Sequence, residues 1–272
     1  MTIDPKGKGL VYDRAYSRWL PVPRNAVAPD GRHYVYRESD DPSFPAARIH
    51  MVNVIDGADR VFTLPAPSLP GLYVVLDYAG EGVYLTSGWE GPLAGVWVLN
   101  PTTGSLLQRS SVIDVQARAG EGEVWVGAVN QQDPNSLQGL GQQANEIRSL
   151  DLATGEPTTW FYRPASLVTV VGSDIRGRPV LSVFGGKDRA VSEDLPAELL
   201  LLTGINSAET IYRGSAQMVG QLAGDRYHFK RTPLGDSHGI WFGSDRGIYF
   251  FTEMGGLRKV SNQPGSPAGF CA

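Results

Sequence analysis

Three aspartates, Asp77, Asp114 and Asp174, fall on or beside β-forming apolar runs in successive parts of the chain. Carboxyl groups held several ångströms apart suit glycosidic cleavage, where one protonates the leaving oxygen and another activates water or attacks the sugar. Asp30, Asp225 and Asp236 stand at other turn-like sites. There an aspartate ordinarily accepts backbone N–H bonds, so the same residue type also serves as a turn cap.

A second candidate is Gly235-Asp236-Ser237-His238-Gly239, which satisfies Gly-x-Ser-x-Gly. In serine hydrolases this spacing places the nucleophile on a sharp turn from strand to helix. Here Ile240 to Phe242 continues as a strand pattern, so the segment reads as a glycine-rich loop. The four histidines, His33, His50, His228 and His238, include no pair spaced to form a zinc edge, and no calcium loop is present. Gly185-Gly186-Lys187 continues into Asp188 where a phosphate loop has Ser or Thr. No cofactor is expected.

The elements that must position these residues are announced by five turn-like dipeptides: Asp56-Gly57, Thr103-Gly104, Thr154-Gly155, Thr203-Gly204 and Met254-Gly255. Their glycines are separated by 47, 51, 49 and 51 residues. Short alternating apolar runs flank each one, which is the pattern of a β-propeller built of four-stranded blades. The second unit reads as strands at 73–76, 83–86, 96–99 and 106–109. The third reads as 112–116, 124–128, 146–150 and 158–162, and the fourth as 168–172, 180–184, 198–202 and 209–212. The first runs through Tyr34 to Tyr36, Ile49 to Val54 and Val61 to Leu64. In the fifth, Gly224 and Gly239 both qualify as the first hairpin. Trp97, Trp125, Trp160 and Tyr249 sit in alternating strands and are expected between adjacent blades.

The expected fold is therefore all-β: a single propeller of five four-stranded blades, or six with one partial. Residues 1–24 form a closing segment whose strand helps complete the ring against the final blade, 25–262 form the repeats, and 263–272 a flexible tail. The hairpin Ala28-Pro29-Asp30-Gly31-Arg32-His33-Tyr34-Val35-Tyr36 resembles the Ser-Pro-Asp-Gly hairpin of the WD40-like, TolB-type bacterial propellers, with Ala28 in place of Ser. Gly80, Gly120, Gly177 and Gly224 are weaker echoes. The resemblance implies the fold and an extracytoplasmic setting, and leaves activity open because propellers host unrelated functions.

Composition narrows the partners. With 24 basic against 28 acidic residues, net charge −4, there is no basic face for nucleic acid. No apolar run approaches the roughly 20 residues of a membrane span. The N-terminal residues lack a secretory pattern, so a cytoplasmic protein, a removed export segment or a domain of a longer polypeptide all fit. Cys271 is the single cysteine.

What remains is a loop surface. The connections between second and third strands are long and carry Trp89, Glu90, Asp133, Lys187 and Arg189. Aromatic residues beside charges on loops are typical of recognition sites. These five are the expected contacts to a protein, peptide or carbohydrate ligand, without catalysis. A glycoside hydrolase or lyase using Asp77, Asp114 and Asp174 is the alternative. The opposite face, with its short glycine turns, is expected to offer few side chains to grip.

Overall fold

The computed structural model describes residues 11–13, 16, 18–38, 47–65, 73–87, 94–130, 132, 144–185, 196–223, 233–244 and 246–264. Alternating apolar runs become antiparallel strands, and glycine or Asx residues turn the chain between them. After a short ribbon, β1 (Val11–Asp13) with β2 (Arg18–Leu20), five blade units follow in chain order among the described residues.

The first unit holds β3 (His33–Arg37), β4 (Ala47–Asn53) and β5 (Asp59–Leu64), with Val27 bridging Tyr34 in place of an inner strand. The second holds β6 (Tyr73–Ala79), β7 (Gly82–Ser87), β8 (Gly95–Leu99) and β9 (Leu106–Ser110). The third holds β10 (Val115–Gly120), β11 (Glu123–Ala128), β12 (Glu146–Asp151) and β13 (Pro157–Tyr162). The fourth holds β14 (Ser166–Ser173), β15 (Pro179–Gly185), β16 (Pro196–Gly204) and β17 (Ser207–Ser215). After helix α1 (Ala216–Ala223), the fifth holds β18 (Leu234–Gly235), β19 (Ile240–Ser244), β20 (Gly247–Thr252) and β21 (Gly256–Ser261). Within each unit the strands pair in sequence order, up and down.

The first strands lie side by side. β6 contacts β10, β10 contacts β14, and one parallel bridge from Ser173 to Leu234 joins the fourth and fifth units into an eight-stranded sheet. Parallel inner strands at the centre and free outer strands at the rim are the arrangement of a propeller.

The cores lie between the blades, because successive side chains of a strand point to opposite faces of its sheet. Val83 and Leu85 of β7 join Val35, Ile49 and Phe62 of the first unit. Tyr84, between them in sequence, joins Val115, Val124 and Val126 of the third. The same alternation places Trp125 with Leu181 and Leu200, and Leu199 and Leu201 with Phe242 and Phe251. Trp97 is buried between the first two units, and Trp160 meets Trp125 edge-on at 5.1 Å. Tyr249 packs partly buried against the core of the last two units.

Several local details differ from the sequence expectation. The inner strand of the third unit starts at Val115 instead of Val112, because Asp114 adopts a left-handed φ of 60° and breaks the extended run. The first hairpin of the last unit is the one at Gly239, between β18 and β19. Helix α1 was not foreseen. Its Ala216, Val219, Leu222 and Ala223 recur at helical spacing and fill the core between the last two units.

Four of the five dipeptide glycines, Gly57, Gly104, Gly155 and Gly255, lie between the third and fourth strands of their units, and Gly204 is the last residue of the third strand of its own. Gly57, Gly104 and Gly155 adopt φ of 74°, 78° and 76°, whereas in the last two units Asn206 and Gly256 take the left-handed position instead. The N-terminal ribbon pairs within itself, and Leu20 and Val22 pack into the core that includes the first unit. Arg18 donates to the Val54 carbonyl there. Residues 1–10 and the tail from 265 lie outside the described residues.

Candidate functional site

In an up-and-down blade, the turns joining strands one to two and three to four leave from one end. The connections joining two to three, and each blade to the next, leave from the other. The two ends differ sharply in this protein. The two-to-three connections span 38–46, 88–94, 129–145, 186–195 and 245–246, while no turn of the opposite end exceeds six residues. Trp89, Glu90, Asp133, Lys187 and Arg189 belong to the long connections and lie outside the described residues. The strand ends that anchor these connections, Ser87 and Gly95, Ala128 and Glu146, Gly185 and Pro196, are described and lie at one end of their blades.

At the base of the longest connection is a polar cluster that the sequence reading missed. Asn145 and Glu146 are buried, at 4% and 2% exposure, although residues of these types are mostly exposed. The Asn145 carboxamide oxygen accepts from the Asn130 amide at 2.8 Å, which ties both ends of the 131–143 connection together. Glu146 accepts from Arg148 Nε at 2.6 Å and Thr159 Oγ1 at 2.5 Å. Burial pushes the Glu146 carboxyl up, but the bonds from Arg148 and Thr159 outweigh it and hold the group below its ordinary range. The adjacent dipeptide Asn145-Glu146 opening an apolar strand was the available signal.

Nearby, Asp114 and Gln116 stand at the start of the inner strand β10. Gln116 Oε1 accepts the Val170 amide at 2.6 Å across to the next blade, and its Nε2 lies 3.4 Å from Asp114 Oδ2. A Cβ on Gly127 would meet Asp114 Oδ2 at 2.3 Å, so only glycine permits this approach. Further along the same end, Glu198 binds both Arg163 of the preceding blade and Arg213. Burial raises its carboxyl, and the two guanidinium groups bring it below the usual value.

The three aspartates do not gather at one mouth. Asp77 lies well along β6 and pairs with Arg118, on the neighbouring inner strand. Arg118 is four residues past Asp114, about 13 Å along a strand. Asp174 sits beyond the far end of β14, eight residues past Ser166 and about 26 Å from the loop end by the same rise. Its Oδ1 accepts the amides of Arg176 and Arg178 at 2.9 and 2.8 Å, and its Oδ2 accepts Arg178 Nε at 2.7 Å. It is a turn cap.

Ser237 likewise occupies an Asx turn. Asp236 Oδ1 accepts the His238 and Gly239 amides at 2.8 and 3.0 Å, and its Oδ2 accepts Trp241 Nε1 at 2.7 Å. The same His238 nitrogen, Nδ1, faces both Ser237 Oγ at 3.1 Å and Asp236 Oδ1 at 3.8 Å. A triad needs opposite ring nitrogens for these two contacts, so the motif has the letters of a nucleophile elbow without its geometry. Among the described residues no group of three or more His, Cys, Asp or Glu could hold a metal ion.

TolB from Acinetobacter baumannii superposes with a TM-score of 0.50 at 12% identity over 87% of this chain. The fold is that of a β-propeller, as in TolB. The chain spans about half of TolB, 54% of its length. An uncharacterized protein from Listeria monocytogenes gives a TM-score of 0.50 at 8% identity, covering 90% of this chain and 71% of the other. At these identities the likeness is one of propeller architecture. No protein-family model matches the sequence, and no curated protein matches it. No helix among the described residues of the propeller is long and apolar enough to cross a membrane.

Proposed function

We propose that this propeller binds a protein, peptide or carbohydrate through the end bearing its long two-to-three connections, without chemical turnover. The observation that carries the reading is the asymmetry of the two ends, with connections of up to 17 residues on one and turns of two to six on the other. Long connections on a rigid scaffold are commonly functional, and a scaffold that holds them fixed reduces the ordering entropy that opposes binding. Trp89, Glu90, Asp133, Lys187 and Arg189 are the proposed contacts. The buried Asn130–Asn145–Glu146 cluster is the proposed anchor of the longest connection.

The fate of the carboxylates supports the noncatalytic reading. Asp77 is paired with Arg118, Asp174 caps a turn and binds Arg178, and Asp114 stands near the opposite end of the inner strands. A glycoside hydrolase or lyase would need two such groups roughly 5 to 9.5 Å apart.

The test is a screen of the full chain on glycan and peptide arrays, followed by titration of the captured ligand. Trp89→Ala and Arg189→Ala are each expected to weaken binding about tenfold or more. Unchanged affinity in both would overturn the assignment of this end.

A further inference from the structure

The opposite end was expected to offer few side chains to grip, yet large apolar side chains stand exposed on it. Of the large apolar residues that remain exposed, four stand on its turns: Ile55 at 59%, Ile175 at 59%, Ile205 at 57% and Met254 fully exposed at 102%. Turn positions ordinarily go to Gly, Asn, Asp, Ser or Pro, so isoleucine and methionine at several tips run against the local chemistry. Three of the four fall on the last two blades. Arg178 reaches across to Glu253, which draws the Ile175 turn and the Met254 turn together, and Ile205 tips the other hairpin of the fourth blade.

The charge of this end is equally uneven. Its ten turns (28–32, 54–58, 80–81, 100–105, 121–122, 152–156, 174–178, 205–206, 236–239 and 253–255) hold eight acidic and three basic residues, net −5. The whole chain carries −4, so the turns of this end are more acidic than the chain as a whole, although Arg18, Arg60 and Arg118 reach from strands onto the 54–58, 100–105 and 80–81 turns. Glu209, at the edge of the patch, has its carboxyl pushed up by burial and by the charge of Glu253, partly relieved by Arg178.

We propose that the turn end is a second docking surface, whose occupant is a basic segment of a partner protein carrying apolar side chains. The acidic field steers a cationic segment toward this end, and exposed apolar tips supply contact area once it arrives. Methionine suits such a role because its flexible thioether repacks against varied partners. This surface and the long connections lie at opposite ends of the blades, so the two proposals fail independently.

The experiment uses three synthetic helical peptides: one of Lys and Leu, one with Leu replaced by Ser, and one with Lys replaced by Glu. Each is titrated into the isotopically labelled full chain and followed by amide chemical shifts. The Lys/Leu peptide is expected to perturb turns 174–178, 205–206 and 253–255, with affinity falling as salt is raised. The double variant Ile175→Ser/Met254→Ser is expected to weaken it about tenfold. Glu121→Gln/Glu156→Gln, at solvent-facing turn positions, is expected to reduce the salt dependence while leaving the fold intact. Perturbation confined to the long-connection end, equal binding of the Lys/Ser or Glu/Leu peptide, or indifference to both double variants would overturn the proposal.

Discussion

Arg118 on the inner strand of the third blade pairs with Asp77 on the inner strand of the second, 41 residues earlier. Arg118 also faces Glu81 at 4.0 Å, so one guanidinium serves two carboxylates of the neighbouring blade. Comparable links run around the inner strands. Asn25 donates to the Val75 and Leu76 carbonyls, and Gln116 accepts from Val170. Inner strands are parallel neighbours with few mutual backbone bonds, so side chains supply what a sheet ladder cannot.

The Arg118–Asp77 pair is expected to be energetically coupled. Asp77→Asn and Arg118→Met should each cost about 1 to 3 kcal/mol, the first leaving Arg118 only the longer Glu81 contact and the second leaving Asp77 without its guanidinium. The double variant should lose less than the sum, by about 1 kcal/mol or more. Urea unfolding of the four proteins measures this. Strict additivity would show that the pair contributes nothing.

The aromatic cores between blades should dominate stability. Trp125 is 3% exposed and packs edge-on against Trp160 in the core joining the third and fourth blades. Trp125→Ala is expected to cost about 3 to 5 kcal/mol, and Trp97→Ala a similar amount. An unchanged unfolding midpoint in either would place that ring outside the core.

Equivalent glycines are not equally demanding. Gly104 has φ 78°, and a Cβ there would meet the Phe62 ring at 3.3 Å. Gly104→Ala should therefore destabilise by about 1 to 2 kcal/mol. Gly204 lacks a positive φ and a Cβ would find only Ser207 Cβ at 3.8 Å, an ordinary contact. Gly204→Ala should be neutral within about 0.5 kcal/mol. Thermal unfolding separates the two, and equal losses would contradict the difference in backbone geometry.

Acid should loosen the long-connection end. The folded-state pKa values of Glu146 and Glu198 are both depressed from 4.5, so their stabilisation is present above that pH and lost as pH falls through the lowered values. Glu146→Gln is expected to reduce the slope of stability against pH below about 4.5 while leaving the slope near neutrality unchanged. Acid unfolding followed by tryptophan fluorescence gives both slopes. An unaltered acid slope would mean that Glu146 is not held ionised by Arg148 and Thr159.

The period of the blades was legible in the sequence because a hairpin turn restricts residue type locally. Asn53, Asn100 and Asp151, each four residues before its glycine, accept the turn amides and repeat the same geometry three times. Strand positions in the second blade were legible for a similar reason, since alternation is a local property. The partner of Asp77 was not. Asp77 and Arg118 meet only because blades stack, and nothing in the local pattern around either residue reports a neighbour one blade away. Helix α1 escaped notice because eight residues carry only two turns of helical spacing beside strong strand patterns. Burial of Asn145 and Glu146 depends on the neighbouring strands and on the Asn130 contact, which a linear reading does not hold.

The central claim is that ligand is gripped by the long-connection end and not transformed by the aspartates. The most direct measurement compares Trp89→Ala with Asp114→Asn against the ligand captured on the arrays, reading affinity and product formation in the same samples. The account predicts about tenfold weaker binding for Trp89→Ala, near-native binding for Asp114→Asn, and no product from either protein or the parent. Turnover by the parent that disappears in Asp114→Asn would contradict it.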